Sequence, residues 1–469
     1  MDLKTSFFVV NTSAHGHRII FSSRSGKLKG INDELYRRLF VAPNVNLEGV
    51  PQKVIDGLIR NKFLVPQSED ELQVILQENK DSLSSDNSNY GMTIAVTQFC
   101  NQDCVYCGQD NSVYKVLSQS HIDLLLKEIR SYIKDYHPKN MSITFYGGEP
   151  GTALDTVVSI AAAIKQICAE NNMAFHATMI TNGVNFTPKV INDLLNVNIK
   201  QYQITLDGSE EQHNLRRPLK TGGRSFSKTY RTVKWLSEHK GVSINIRINI
   251  DKNNIDSVPE LFNVLIADNL QKKVTIDLAR VTPWGSDVDR YRYEPLPLVE
   301  YAEIEMDLLT AMLLDDFKVR LLPKREKYLC TVTLNPRNGL VVDTNGRFSR
   351  CWEIPYSEVK PHKRFAQYIN NHANQEKLFE VGSLRRGIQK SNWLGQTFLQ
   401  LFEEKTIECV NCPLLPSCAG KCPVRYFLDA KPPCPSWKYN IEGRMALRYA
   451  IYHVGGVKAL KKTVQAAQS

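Results

Sequence analysis

Residues 97–107 of the chain read TQFCNQDCVYC, so Cys100, Cys104 and Cys107 follow an apolar segment in a CxxxCxxC spacing. Three thiolates in one loop can hold three irons of a 4Fe-4S cluster and leave the fourth iron open, whereas a structural zinc needs a fourth protein ligand nearby. The loop contains no histidine, and the nearest other cysteine is Cys168. The spacing therefore predicts an iron-sulfur site, with a structural zinc or a chance grouping as the alternative.

The chain around this loop alternates between short apolar runs and amphipathic runs from about residue 91 to 315, a pattern typical of parallel βα units. Helices are predicted at 122–136 and 157–169. Six units are fewer than the eight of a closed TIM barrel, so we predict an α/β fold, either a partial (β/α)6 barrel or an open sheet, with reactive residues at the C-terminal strand ends. The predicted strands are Thr93–Thr97, Ser142–Tyr146, Ala177–Thr181, Gln203–Leu206, Ile244–Ile250 and Val274–Leu278.

A second motif, Gly147-Gly148-Glu149-Pro150, directly follows the second predicted strand. Glycines allow the backbone to approach a ligand closely, and Glu149 supplies a carboxylate for an ammonium group. The tetrapeptide alone is equally a strand-end turn. Its position after a CxxxCxxC loop favours a binding site.

Together the two motifs resemble those of the radical S-adenosylmethionine (SAM) superfamily. The resemblance implies that the three loop cysteines hold the SAM-binding cluster. It also implies that the reduced cluster cleaves SAM to methionine and a 5'-deoxyadenosyl radical, which takes hydrogen from an unactivated C–H bond. The amino group of SAM would be held by Gly147, Gly148, Glu149 and Pro150.

Two more strand ends, TNG at 181–183 and TLDG at 205–208, resemble signatures of the peptide-modifying branch of this superfamily. Residues 213–218 resemble the HDxxRP stretch of that branch, with Asn214 in place of the usual aspartate, which puts an acid-base role there in doubt. The resemblance implies that SAM contacts Asn182, Thr205, Arg217 and the backbone of Tyr106. Asp207 is our candidate catalytic base, although Thr205 and Asp207 are equally turn-forming residues.

Seven further cysteines lie between residues 330 and 434, and their spacing, with Gly346 after the first, resembles the SPASM signature. Seven thiolates are nearly enough for two auxiliary 4Fe-4S clusters, and three clusters in all would hold about 12 irons. Zinc knuckles are the alternative. The resemblance implies that one auxiliary cluster uses Cys330, Cys351 and Cys422, with a fourth ligand unassigned, and the other uses Cys409, Cys412, Cys418 and Cys434.

Residues 1–80 predict a small α+β unit, in which a hairpin of 7–11 and 18–22 precedes helices that begin near Asn32, Pro51 and Glu69. This unit resembles the winged-helix-like domain that recognises leader peptides in many peptide maturases. The predicted domains are 1–80 for recognition, 91–315 for the partial barrel, 325–440 for the SPASM clusters and 441–469 for a helical tail. Residues 81–90, rich in Ser, Asn and Asp, are the predicted linker.

The composition of the chain fits this organisation. Among 469 residues, 59 Lys and Arg outnumber 49 Asp and Glu, for a formal charge of +10, and 42% of the residues are hydrophobic. The basic residues are scattered, which favours a solvated surface over nucleic-acid binding. The sequence offers no membrane-spanning run and no signal peptide, so we expect a cytoplasmic protein in which 10 of the 11 cysteines bind metal rather than form disulfides. Cys168, in an apolar stretch, is expected to be buried.

Three functions remain open at this stage. The first is maturation of a ribosomally made precursor peptide by an intramolecular cross-link, a thioether or a C–C or C–O bond, with electrons from a flavodoxin or ferredoxin. The second is formylglycine formation, as in anaerobic sulfatase maturases. The third is a non-catalytic scaffold that the iron-sulfur clusters hold in shape.

Overall fold

The structure is a computed structural model, and it describes residues 2–14, 16–84, 87–282, 292–327, 329–330, 335–355, 362–365, 379–389 and 393–461. The first strands are β1 (Leu3–Thr5), β2 (Val9–Ala14), β3 (His17–Ser22), β4 (Lys27–Ile31) and β5 (Leu64–Pro66). The helices among them are α1 (Asp33–Tyr36), extended by a π turn over Arg37–Val41, α2 (Gln52–Arg60) and α3 (Glu71–Ser84).

The middle of the chain alternates strand and helix. Its strands are β6 (Asn89–Thr97), β7 (Asn140–Gly147), β8 (Ala174–Thr181), β9 (Ile199–Thr205), β10 (Ser243–Ile250) and β11 (Val274–Arg280). Its helices are α4 (Gln119–Tyr136), α5 (Leu154–Glu170), α6 (Pro188–Asn196), α7 (Glu210–Arg216), α8 (Phe226–Ser237) and α9 (Val258–Ala267).

The last third contains shorter elements. They are α10 (Leu298–Leu314), β12 (Leu340–Val342), β13 (Arg347–Ser349), β14 (Glu380–Ser383), β15 (Gly387–Ile388), α11 (Trp393–Glu403), α12 (Leu415–Cys418), α13 (Pro423–Asp429) and α14 (Ile441–His453).

Strands β6 to β11 lie side by side in chain order and pair in parallel throughout. Each overlaps one of the six predicted strands, so the predicted α/β class and the partial barrel of parallel strands are confirmed. Alternate residues of these strands are buried; in β10 they are Ile244, Ile246, Ile248 and Ile250. At the other edge of the sheet β12 pairs in parallel with β6, and β13 to β15 continue it in antiparallel fashion.

The predicted linker is largely regular structure. Helix α3 continues to Ser84 and β6 begins at Asn89, while residues 85 and 86 lie outside the described residues. The polar side chains that suggested a linker are bonded: Gln77 Nε2 donates to Asp81 Oδ1 at 2.7 Å, and Ser82 Oγ donates to the carbonyl of Lys327 at 2.9 Å. The polar residues that predicted a linker therefore include an exposed helix end.

The chain forms two compact units, one of residues 1–85, 298–332 and 395–469 and the other of 86–297 and 333–394. The ranges predicted as domains follow the chain in order and stay predictions, whereas each unit combines distant segments. The second unit contains the large sheet. Among the described residues no helix has both the length and the apolar character needed to cross a lipid bilayer.

In the first unit, β2, β3 and β4 form an antiparallel sheet, and apolar side chains pack against both of its faces. One face packs Ile20 and Ile31 against the helical residues Leu39 and Leu58. The other face packs Ile19 and Phe21 against Ile441 and Met445 of α14. The predicted helical tail thus contributes to the core that carries the N-terminal sheet.

Candidate functional site

The cysteine loop after β6 is held by the segment that follows α7. The amide of Asp103 donates to the carbonyl of Pro218 at 3.0 Å, and the amide of Val105 donates to that of Arg216 at 2.9 Å. The amide of Lys220 donates to the carbonyl of Asn101 at 2.9 Å. The stretch that resembles HDxxRP therefore braces the cysteine loop through backbone hydrogen bonds.

Burial raises the pKa of Cys100 and of Cys104, and neighbouring thiols of the loop add to the rise. Burial raises the pKa of Cys104 to about 12, against the lowering effect of Arg217. The amide of Gln102 lies 3.4 Å from Cys100 Sγ, and Asn111 Nδ2 lies 3.8 Å from Cys107 Sγ. Amide donors near the sulfurs suit thiolate ligands, so the loop fits the cluster that its spacing predicts.

The cysteine groups are less suited to a single metal ion. Across the described ranges, no three His, Cys, Asp or Glu side chains are arranged around one ion. A mononuclear zinc requires four donors at about 2.0 to 2.3 Å. The cysteine groups therefore show no preformed mononuclear site in that part of the chain.

Gly147 and Gly148 adjoin the start of the cysteine loop. A Cβ at Gly147, whose φ is +129°, would lie 2.3 Å from the carbonyl oxygen of Thr97, and one at Gly148 would lie 2.3 Å from those of Gln98 and Phe99. The Gly148 amide donates to the Thr97 carbonyl at 2.8 Å. These glycines therefore allow the backbone after β7 to lie close to the cysteine loop.

Glu149 is buried, at 3% exposure, and its carboxylate joins two strand ends. Oε1 accepts the amide of Gly151 at 2.7 Å and the hydroxyl of Thr181, and Oε2 accepts the amide of Asn182 at 2.6 Å. Burial raises its pKa, while these hydrogen bonds oppose the rise. Pro150, also buried, begins the short helix that follows. A carboxylate has about four acceptor positions, so one stays available to a ligand ammonium.

Asn182 connects the end of β8 to the same loop. Its Nδ2 donates to Asn101 Oδ1 at 2.7 Å and lies 4.0 Å from Cys100 Sγ. Its Oδ1 accepts the amide of Val184 at 3.0 Å. The ends of β6, β7 and β8 thus meet at Cys100, as expected for parallel strands.

Asp207, which is fully buried, sits among hydrogen-bond donors. Its Oδ2 accepts the hydroxyl of Tyr106 at 2.5 Å, and its Oδ1 accepts the amide of Asn249 at 2.8 Å. The guanidinium groups of Arg216 and Arg217 each approach Oδ2 at 3.9 Å. Both carboxylate oxygens are bonded within the protein, which gives Asp207 an anchoring role, and its role as the catalytic base stays a prediction.

Arg217 is buried beside the loop. One guanidinium nitrogen donates to the hydroxyl of Tyr106, and the other donates to Gln102 Oε1 at 3.0 Å. Gln102 Oε1 in turn lies 3.9 Å from Cys104 Sγ. Arg217 therefore contacts residues that surround Cys104. A contact between Arg217 and SAM would be additional to these hydrogen bonds. Thr205 ends β9 half-buried in the same region.

Asn214, which replaces the usual aspartate, has a clear structural role. Its Oδ1 accepts the amides of Ser225 and Phe226 at 2.8 and 2.9 Å, at the start of α8. An aspartate at this position would offer the same acceptor, so the replacement keeps the contact with the start of α8. The neighbouring His213 is fully buried, its Nδ1 accepts the amide of Asp207 at 3.3 Å, and burial holds its pKa well below the usual range.

The second predicted auxiliary set comes together within the first compact unit. Its four cysteines line one cavity of about 60 Å³. Burial, followed by the neighbouring thiols, raises the pKa of Cys409 to about 12. The same cavity is lined by Lys438, whose Nζ lies 3.3 Å from Cys434 Sγ. Four convergent thiols fit a 4Fe-4S cluster.

The first predicted auxiliary set is divided between the units. Cys422 and Cys330 belong to one unit, where Cys330 contributes, after burial, to raising the pKa of Cys422 to about 11. Cys351 belongs to the other unit and contributes to the raised pKa of Tyr146, for which burial is the main cause. Cys168 is 1% exposed in α5, so its prediction as a buried residue is confirmed.

Two residues at the site, Tyr146 and Lys438, were not predicted from the sequence. Tyr146, at the end of β7, accepts a hydrogen bond from Gln109 Nε2 at 3.0 Å, and its ring lies 6.2 Å from that of Trp352. Its position one residue before Gly147 was the available signal. Lys438 was also missed, four residues after Cys434, because no motif includes it.

Residues 94–265 match the family model described as the radical SAM superfamily. The radical SAM cyclopropyl synthase TigE of Paramaledivibacter caminithermalis is 23% identical over 204 residues, 40% of this chain and 41% of that protein. The Fe-coproporphyrin III synthase of Methanosarcina barkeri is 24% identical over 180 residues, 38% of this chain and 41% of that protein. The chain therefore spans less than half the length of these curated relatives.

Among solved structures, anSMEcpe with bound AdoMet aligns at a TM-score of 0.54 and 16% identity, covering 76% of this chain and 98% of that chain. The same protein with bound AdoMet and Cp18Cys peptide aligns at 0.53, also at 16% identity, covering 77% of this chain and 99% of that chain. This likeness concerns the fold.

Proposed function

We propose that the chain, whose residues 94–265 match the radical SAM superfamily model, cleaves SAM reductively and modifies a precursor peptide by an intramolecular cross-link. The observation that carries the proposal is the meeting of three strand ends at the cysteine loop. The amide of Glu149 donates to the carbonyl of Phe99 at 2.8 Å, and Asn182 Nδ2 donates to Asn101 Oδ1 at 2.7 Å. Residues 147–150 and 182 thereby face the loop that would hold the cluster.

When held by Cys100, Cys104 and Cys107, a 4Fe-4S cluster supplies the electron that splits SAM into methionine and a 5'-deoxyadenosyl radical. The chain's own residues bind and orient SAM at this site. Glu149 keeps one acceptor position for the SAM ammonium while its other bonds fix the carboxylate in place. The buried network around Asp207 and Arg217 holds the loop rigid, so that the target carbon meets the radical at one position.

The further cysteines support oxidative chemistry, since closing a cross-link after hydrogen abstraction releases one more electron. We propose auxiliary 4Fe-4S clusters as its acceptors, one at Cys409, Cys412, Cys418 and Cys434 and one at Cys330, Cys351 and Cys422. The shared cavity supports the first assignment. A flavodoxin or ferredoxin would supply the initial electron.

The N-terminal sheet supports a peptide substrate. In the described part of the chain, β2 and β4 each pair only with β3, so neither outer strand has a second strand as partner. A leader peptide can add to such an edge through backbone hydrogen bonds. The anSMEcpe structure contains a bound peptide, which makes a peptide the natural first substrate to try.

The test is turnover by anaerobically reconstituted protein with SAM, a reductant and a leader-bearing candidate peptide. We expect 5'-deoxyadenosine and a peptide lighter by two hydrogens, and neither product from Cys104→Ala. Since Ser to formylglycine also removes two hydrogens, fragmentation must show a ring that resists cleavage. An aldehyde in place of a ring would favour formylglycine formation, and SAM binding without 5'-deoxyadenosine from any candidate peptide would favour the scaffold.

Leader recognition is tested on the substrate. Deleting residues 1–80 would expose the apolar core that the N-terminal sheet shares with α14, so a loss of activity would not isolate recognition. Peptides with and without the leader avoid this problem. Equal turnover of both would contradict the recognition role of residues 1–80.

A further inference from the structure

Lys438 lines the cavity shared by the four cysteines of the second auxiliary set. Its Nζ lies 3.3 Å from Cys434 Sγ, within hydrogen-bonding distance of a sulfur. An ammonium only donates hydrogen bonds. The contact therefore gives one of the predicted thiolate ligands a charged donor.

We propose that Lys438 is a positioning residue that raises the reduction potential of the cluster held by Cys409, Cys412, Cys418 and Cys434. The inference rests on the proposed function, because it requires a 4Fe-4S cluster at these cysteines. Reduction adds one negative charge to a group that four thiolates already surround. A positive charge at hydrogen-bonding distance stabilises that reduced state, and hydrogen bonds to the sulfurs act in the same direction.

The charge of Lys438 acts together with those of Glu408 and Lys421. Glu408 lines the cavity too, and its carboxylate accepts the hydroxyl of Tyr426 at 3.3 Å. The Nζ of Lys421 lies 5.9 Å from the centre of the Trp437 ring, and its charge opposes the rise that burial causes in the pKa of Cys418. Without Lys438, the carboxylate of Glu408 would face the cluster with one cation fewer to offset it.

The charge of Lys438 would affect the step in which the cross-link closes. As the cross-link closes, the substrate radical would lose one electron, which the oxidised cluster would accept, and one proton, which would pass to water. Lys438 keeps its charge throughout, so no proton passes through it. A higher potential would make this cluster a better electron acceptor.

The experiment measures the potential directly in the full-length chain. Alanine at Cys100, Cys104, Cys107, Cys330 and Cys351 leaves the second auxiliary set as the predicted cluster site, so that its EPR signal is read alone in a redox titration. Into this background we would place Lys438→Met, Lys438→Gln and Lys438→Arg. The matched control is Lys431→Met, which removes the same charge from an exposed position three residues before Cys434.

We expect Lys438→Met to raise the ratio of oxidised to reduced cluster at a fixed potential about tenfold or more, a midpoint fall of about 59 mV for one electron. Lys438→Arg should stay near the parent, Lys438→Gln should fall between them, and Lys431→Met should leave the midpoint unchanged. Equal midpoints in Lys438→Met and Lys431→Met would overturn the proposal. Loss of bound iron in all three Lys438 variants would also overturn it, since Lys438 would then hold the cluster rather than tune it.

The iron content separates this inference from the proposed function. If Cys409→Ala and Cys434→Ala leave the iron content of the full chain unchanged, these cysteines hold no cluster and both proposals fail at this site. If they remove about four irons while Lys438→Met leaves the midpoint in place, only the tuning role fails.

Discussion

Asp207 holds together a buried network in which each charged group depends on its neighbours. Arg216 has a second carboxylate, since one of its guanidinium nitrogens donates to both oxygens of Asp251 at 2.7 Å. Arg217 has Asp207 as the carboxylate within 4 Å, together with Tyr106 and Gln102. Removing the charge of Asp207 would therefore take away the carboxylate that lies 3.9 Å from the buried Arg217 guanidinium.

We expect Asp207→Asn to lower the free energy of unfolding by about 3 kcal/mol, because it breaks a buried ion pair from one side. Urea unfolding, followed by circular dichroism, measures the loss. The matched control is Asp277→Asn, whose partner Arg247 lies at 2.8 Å but whose side chain is 43% exposed, so about 0.5 kcal/mol is expected. Unchanged stability with abolished turnover would instead support Asp207 as the catalytic base.

Gly148→Ala tests how the second motif meets the cysteine loop. Its Cβ would overlap the carbonyl oxygens of Gln98 and Phe99, each 2.3 Å away, so the loop must shift. We expect the variant to lose about four irons on reconstitution, that is, one cluster. Gly91→Ala in β6 is the control, because its Cβ meets its nearest neighbour at an ordinary 3.8 Å. A full iron complement in Gly148→Ala would show that the loop accommodates the methyl group.

At the scale of elements, the six parallel strands were predictable because each is an apolar run bounded by helices. The strand end that carries Cys100 and the one that carries Gly147 followed from the same pattern. Strands β12 to β15 were not predicted, because two to four residues are too few for an alternating pattern to register. The bonds from Glu149 to Thr181 and Asn182 were also out of reach, since these partners are distant in the chain, and Lys438 was missed because no motif includes it.

Helix α8 offers a test of the departure at Asn214 from the related pattern. Asn214→Ala removes the acceptor for the amides of Ser225 and Phe226, so we expect a loss of about 1 kcal/mol in the free energy of unfolding. Asn214→Asp keeps the acceptor and should match the parent in thermal unfolding and in turnover. A large gain in turnover from Asn214→Asp would contradict the capping role and indicate acid-base chemistry at this position.

At the scale of the whole molecule, the first compact unit depends on contacts between the two ends of the chain. Met445 of α14 is fully buried against Ile19 and Phe21 of the N-terminal sheet. We expect Met445→Ala to destabilise this unit by about 3 kcal/mol and to expose the sheet to proteolysis. Tyr452→Ala, at a position 77% exposed on the same helix, is the control and should change little. Equal protease resistance in the two variants would show that the sheet is stable without α14.

Iron content tests the organisation of the full chain, because each cysteine set makes its own contribution. Three 4Fe-4S clusters predict about 12 irons per chain, and alanine at Cys100, Cys104 and Cys107 should leave about eight. Alanine at Cys409, Cys412, Cys418 and Cys434 should also leave about eight, and both changes together about four. Iron and sulfide assays with EPR provide the measurement, and Cys168→Ala, which changes a buried thiol outside the three sets, is the control. A parent value near four would leave the cysteine loop as the cluster site and turn the cavity around Cys434 into a structural feature.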